Sequence, residues 1–315
     1  MKIFSRLIGA CLGFALLVAS ACTVGDPASE DYADDPGADE GELPGEAQRR
    51  SDLSPGDIAT LGLANVTVPA AGMGVFTEVV TEDGSLETLT LETDDDGVVW
   101  EHLGPERLAT DDDAALQASP NPCSDGAHSL MPHTFAQRLN WRFNAGTTPS
   151  NLSAGAVEDA LIRATANITR SRNNCGLADN VSATHRYLGR TSRGMNITAA
   201  GGCRNSNGES GVGFGSLPNG VLGVACTWYF ADGSAVESDV RLNRGDRWYV
   251  NRPASCSNRF DIESVMTHER GHSFGLGHVA EGTHGKLTMS TAIRPCDNSG
   301  RTLGLGDVRG LRKKY

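Results

Sequence analysis

The stretch His268-Glu269-Arg270-Gly271-His272-Ser273-Phe274-Gly275-Leu276-Gly277-His278 decides how this 315-residue chain is read. It has the pattern H-E-x-x-H-x-x-G-x-x-H. On a helix, His268 and His272 stand one turn apart on the same face, so two imidazoles can hold one Zn²⁺ at about 2.0–2.1 Å. Glu269 lies beside the first ligand, within reach of a metal-bound water as general base. Gly275 tolerates positive φ, which lets the chain leave the helix and swing His278 in as third ligand. Three protein ligands leave a fourth position open, the arrangement of a catalytic rather than a structural zinc site. A cysteine-based zinc site is disfavoured because the cysteines lack paired C-x-x-C spacing.

Upstream, Asp261 is a plausible N-cap, and Ile262, Val265 and Met266 form the apolar stripe of a helix running into the motif. Further upstream, Leu139, Trp141 and Phe143 alternate as a strand. Ser153 can cap a helix extending to about Arg170, with Val157, Leu161, Ala164 and Ile168 on one face. Strands are expected near 182–188, 196–199, 226–230 and 235–242, with a hairpin turn at Asp232-Gly233.

The motif resembles that of the metzincin zinc endopeptidases. Gly271 before His272, with Gly275-Leu276-Gly277-His278, is most similar to the matrixin-like branch as secreted bacterial members carry it. Leu287-Thr288-Met289-Ser290 resembles the Met-turn beneath the zinc, which makes Met289 its methionine. No Tyr follows at the spacing where some metzincins place an auxiliary ligand, which favours a three-His site. The closing Gly306–Tyr315 stretch resembles the last helix of matrixin catalytic domains. The resemblance implies an α+β catalytic domain over 123–315: a twisted, mostly parallel sheet with an antiparallel edge strand, packed on two long helices, with a zinc cleft between subdomains. Glu237–Leu242 resembles the edge strand on which metzincins lay their substrate. A peptide added there would gain main-chain hydrogen bonds with little demand on its sequence.

Charge divides the chain. The formal net charge is −12, yet residues 23–122 carry 24 acidic and 3 basic side chains, whereas 123–315 carry 15 acidic and 22 basic. Opposite signs favour mutual attraction and suggest an inhibitory pro-segment docked on a catalytic domain. The average therefore does not by itself exclude nucleic-acid binding; the zinc motif carries that exclusion. Residues 1–22 combine Lys2 and Arg6 with a twelve-residue apolar run, Leu7–Val18, and small residues after it, which read as an export signal. Ala19-Ser20-Ala21 fits plain secretion, while the same residues with Cys22 resemble a lipobox that would acylate Cys22. Residues 23–57 read as an acidic disordered tether, and 58–122 as a small β-rich pro-segment and linker. Its strands are expected at 75–81, 86–93 and 98–102, separated by polar turns. Arg49-Arg50 and 111–122 are candidate cleavage regions.

Six cysteines follow the signal region: Cys123, Cys175, Cys203, Cys226, Cys256 and Cys296. An even count in an exported chain suggests three disulfides, with fifteen pairings open. Pro122-Cys123-Ser124-Asp125 only loosely resembles the matrixin cysteine switch, lacking its Arg and Gly, so Cys123 is assigned to a disulfide. His284 reads as a solvated loop residue, and His128, His133 and His185 receive no role. The acidic cluster Asp94–Asp96 lacks an EF-hand pattern, and a structural Ca²⁺ stays open. The reading is an exported zinc endopeptidase made as a latent precursor. It takes one Zn²⁺ and acts on protein or peptide substrates. It is expected to be a monomer, to bind no nucleic acid, and to touch a membrane only through a lipid on Cys22. A non-catalytic surface lipoprotein that binds or adheres through the same fold is the alternative.

Overall fold

The computed structural model describes residues 47–81, 86–103, 119–291 and 293–315. The export signal with Cys22, the acidic stretch to residue 46 and most of the linker before Cys123 lie outside the described residues. The strands are β1 (Ala47–Arg49), β2 (Ile58–Leu61), β3 (Ala64–Thr67), β4 (Met73–Thr81), β5 (Leu86–Thr93), β6 (Val99–His102), β7 (Ser129–Leu130), β8 (Leu139–Phe143), β9 (His185–Arg190), β10 (Ser210–Gly215), β11 (Val221–Phe230), β12 (Ala235–Asn243), β13 (Trp248–Tyr249), β14 (Phe260–Asp261) and β15 (Leu276–Gly277). The helices are α1 (Ala154–Thr169), α2 (Ile262–Ser273), the single turn α3 (Glu281–His284) and α4 (Leu305–Lys314). Among the described residues, no helix is long and apolar enough to cross a membrane.

One nine-stranded sheet organises the molecule, in the order β1-β6-β5-β4-β11-β12-β10-β8-β9. From β12 to β9 the neighbours are parallel; every pair from β1 to β12 is antiparallel. Within residues 123–315 three of the four pairings in this sheet are parallel, as expected there; the further antiparallel strands come from the N-terminal segment. The antiparallel strand among residues 123–315 is β11; it is the edge of that part, but β4 of the N-terminal segment pairs with it, so in the whole sheet it is not an edge. Nor is Glu237–Leu242 the edge strand: it lies within β12, which is hydrogen-bonded to β10 on one side and β11 on the other. Left alone, β11 would present a row of unpaired N–H and C=O groups. Strand β4 covers them along its whole length, from Val221 opposite Thr81 to Phe230 opposite Met73.

Composition explains which strands could be found from the sequence. β4 and β11 are buried on both faces and read as near-continuous apolar runs. β10, Ser210-Gly211-Val212-Gly213-Phe214-Gly215, is half glycine and gives no strand signal, yet it is buried and paired on both sides. The stretch expected as a strand at 196–199 instead contributes one bridge, Ile197 to Cys203. β1 falls inside the stretch expected as tether. It is ordered by pairing with β6, and Arg50 just beyond it donates to Glu101 at 2.6 Å.

Two apolar clusters lie on either side of the sheet. One joins α1, α2 and α4 to Trp141, Phe143, Val212 and Leu242, and includes Val80 of β4. The other joins Val75 and Val79 to Val224, Cys226 and Trp228. Ser153 caps α1 by accepting from Ala156 N, and Asp261 caps α2 by accepting from Ser264 N at 2.9 Å. These are the caps the sequence indicates. All six expected cysteines are paired: Cys123–Cys175, Cys203–Cys226 and Cys256–Cys296. Peptide mapping without reductant should return these three pairs. Replacing both Cys256 and Cys296 by Ser should lower the unfolding free energy by about 2–4 kcal/mol in urea titrations.

Candidate metal centre

Helix α2 delivers the first two histidines and ends at Phe274, whose N–H bonds back to Arg270 and Gly271 carbonyls. Gly275 then takes φ +85°, and an added Cβ would run into the His133 carbonyl. The chain can turn there only because no side chain is present. The turn places His278 so that its Nε2 lies 3.2 Å from that of His268, while His272 Nε2 lies 3.1 Å from the same atom. Nitrogens at adjacent corners of a tetrahedron around zinc stand about 3.3 Å apart when each Zn–N is about 2.0–2.1 Å.

The other ring nitrogens fix the tautomers. His268 Nδ1–H donates to the Thr288 carbonyl and His272 Nδ1–H to the Leu276 carbonyl, both at 2.8 Å. With Nδ1 carrying the proton, each Nε2 lone pair faces the common point, as a ligating histidine requires. Three lone pairs aimed together in a buried space repel unless a cation sits among them. The donor set therefore fits zinc, with His268, His272 and His278 as the residues that would hold it.

Met289 lies beneath the histidines, buried against α2, where a Cβ on Gly271 would overlap its thioether. The loop that carries it is tied down by Asp307 of α4. This carboxylate accepts from Thr288 N at 3.0 Å, Met289 N at 3.2 Å and Gly304 N at 2.8 Å. Because Thr288 also orients His268, Asp307 supports the metal position from a distance. His133, for which the sequence suggested no role, is buried. It bonds the His272 carbonyl through Nε2 at 2.8 Å and stacks on Tyr229. His185 receives the Trp141 indole N–H at 3.3 Å, and His284, read as a solvated loop residue, pairs with Asp125 at 3.0 Å.

Glu269 points away from solvent, and neither carboxylate oxygen has a hydrogen-bond partner among the described residues. Burial, reinforced by the Glu78 carboxylate, pushes its acid group well above the usual carboxylate range. Glu78 itself comes from β4 and was not singled out from the sequence. Its Oε1 stands 3.1 Å from His268 Nε2, and its Oε2 stands 2.5 Å from His272 Nε2 and 2.9 Å from His278 Nε2. Burial opposes its ionisation, and positive charge on the three imidazoles outweighs burial and holds it well below the carboxylate range. The four residues form the one cluster of metal-binding geometry among the described residues. The available signal was a single charge in an otherwise uncharged strand, Val75-Phe76-Thr77-Glu78-Val79-Val80.

The sequence profile of the matrixin (peptidase M10) family matches residues 215–315. Over this stretch the chain is similar to the matrixins. The matched stretch spans β11, β12, α2, all three histidines, Met289 and α4. The match supports a zinc-using metallopeptidase, whose substrates are proteins or peptides. No curated protein matches the chain.

Replacing Asp307 by Ala leaves three buried N–H groups without an acceptor. It should cost about 2–4 kcal/mol of stability and weaken zinc binding by about 10–100-fold. Urea unfolding and zinc competition with a chromogenic chelator would measure the two effects.

Proposed function

We propose that this chain is an exported zinc endopeptidase made as a latent precursor. The observation that carries the reading is the buried Glu269 carboxylate, without a hydrogen-bond partner among the described residues, next to His268 in a cluster of three histidines of which His268 and His272 have tautomers set by backbone carbonyls. When bound, zinc would polarise the scissile carbonyl and acidify the attacking water. Glu269 would be the residue that takes a proton from the attacking water and delivers it to the leaving amine. Its burial, which raises the acid group above the usual carboxylate range, suits a group that must both accept and release a proton. A substrate would lie along β11, whose backbone can hold an extended peptide as an added strand.

Export rests on the sequence of residues 1–22, and the three disulfides agree with an oxidising compartment. Latency is supported by the charge contrast between the two parts and by β4, which occupies the β11 edge that a substrate needs. The segment preceding Cys123 is the part to be removed. An intact, unpartnered Glu269 argues against a purely adhesive surface protein, which has no use for that carboxylate.

In the processed species, Glu269→Ala should retain zinc and lose casein hydrolysis by at least about 100-fold, while a zinc chelator should abolish hydrolysis by the unsubstituted processed species. Hydrolysis that persists in both experiments would favour the binding-protein alternative. N-terminal sequencing of the active extracellular species should give a start beyond β6. A start at residue 23 would contradict latency, and lipid mass on Cys22 in the intact chain would decide between the two export routes.

A further inference from the structure

We propose that Glu78 is the fourth zinc ligand of the precursor: β4 lies in the substrate groove and its carboxylate closes the coordination position that catalysis needs open. This deepens the latent-precursor reading and rests on the zinc-peptidase assignment of the three histidines.

Strand register carries the inference. Opposite β11, Val75, Thr77 and Val79 face Trp228, Cys226 and Val224, on the side of the sheet away from the histidines. The alternate residues Phe76, Glu78 and Val80 face Thr227, Ala225 and Gly223, on the side of α2. Phe76 packs against the His272 ring, with centroids 5.5 Å apart, and Val80 joins the apolar cluster around α2. Between these two apolar anchors stands Glu78, fully buried, with both oxygens among the three Nε2 atoms. A strand period of two brings one side chain to the metal position and seats its neighbours on either side.

Charge gives the same result. A buried carboxylate is costly unless paired or bound to a metal. Among the described residues, its ion-pair partners are the three nitrogens at the metal position. A divalent cation bound by three neutral imidazoles has room for one anionic oxygen, completing four-coordination. The strand then acts as an intramolecular ligand held at high effective concentration by nine paired residues. Cleavage of the linker after β6 would turn it into a separate chain that can dissociate. Cys123, the residue loosely similar to a cysteine switch, is bound to Cys175 and is not available for that task.

The test uses the full chain carrying Glu269→Ala, so that it does not digest itself, loaded with Co²⁺ in place of zinc. Azide is the probe, and the visible cobalt spectrum is the readout. With Glu78 present the spectrum should resist azide. With Glu78→Gln added, azide should bind at least about tenfold more tightly, and acetate should compete with it. An equal azide response with and without the Glu78→Gln substitution would overturn the proposal. If Glu78→Gln does not fold, the chain retaining Glu78 still decides: ready azide binding to it means the fourth position is open. Latency is judged separately, by comparing casein hydrolysis of the zinc-loaded full chain and the processed extracellular species. Equal rates there would remove the latent-precursor reading without touching the cobalt result, and an open cobalt site would remove Glu78 without touching latency.

Discussion

Three imidazole nitrogens held about one hydrogen-bond length apart in a dry space are the constraint around which the structure is arranged. Such a convergence is unfavourable without a cation, so the protein must hold it in place from outside. It does so through backbone carbonyls at Leu276 and Thr288, through His133 on the last turn of α2, and through Asp307 on the closing helix α4. Each support acts on orientation rather than on the metal directly, and ligand geometry depends on such partners nearly as much as on the ligands themselves. The metal centre therefore ties together α2, the Met289 loop and α4.

The same centre explains why the acidic N-terminal part belongs to the sheet. β11 has a free edge within the catalytic part, and β4 satisfies it with main-chain hydrogen bonds along nine residues. Because both faces of β4 are buried, its alternate side chains reach both clusters at once: Val75 and Val79 on one side, Phe76 and Val80 on the other. Charge attraction between the two parts is a weak, screened effect by comparison. The specific hold comes from strand pairing and apolar burial, with Glu78 delivered to one place by the register.

The candidate metal ligands are legible in the sequence because their spacing is local: His268 and His272 are fixed by one helical turn, and Gly275 marks the turn that brings in His278. The caps Ser153 and Asp261, the hairpin at Asp232-Gly233 and the strands of the acidic segment are likewise written in neighbouring residues. What stays hidden depends on pairing across long separations. β10 is too rich in glycine to announce itself, although parallel neighbours bury it. Glu237–Leu242 reads as an edge and is not one, because strand order is a property of the sheet. Glu78 lies 190 residues from His268, and no local pattern connects them; only the register of β4 on β11 does.

The central claim is that β4 covers β11 and the metal centre in the intact chain and leaves when the N-terminal segment is removed. Amide hydrogen exchange over Val221–Phe230 tests it most directly, because those groups pair with β4 on one side and β12 on the other. In the full chain the whole strand should be protected. In the processed species the amides that face β4 should exchange rapidly, while those facing β12 stay slow. Equal protection of both sets before and after processing would contradict the account.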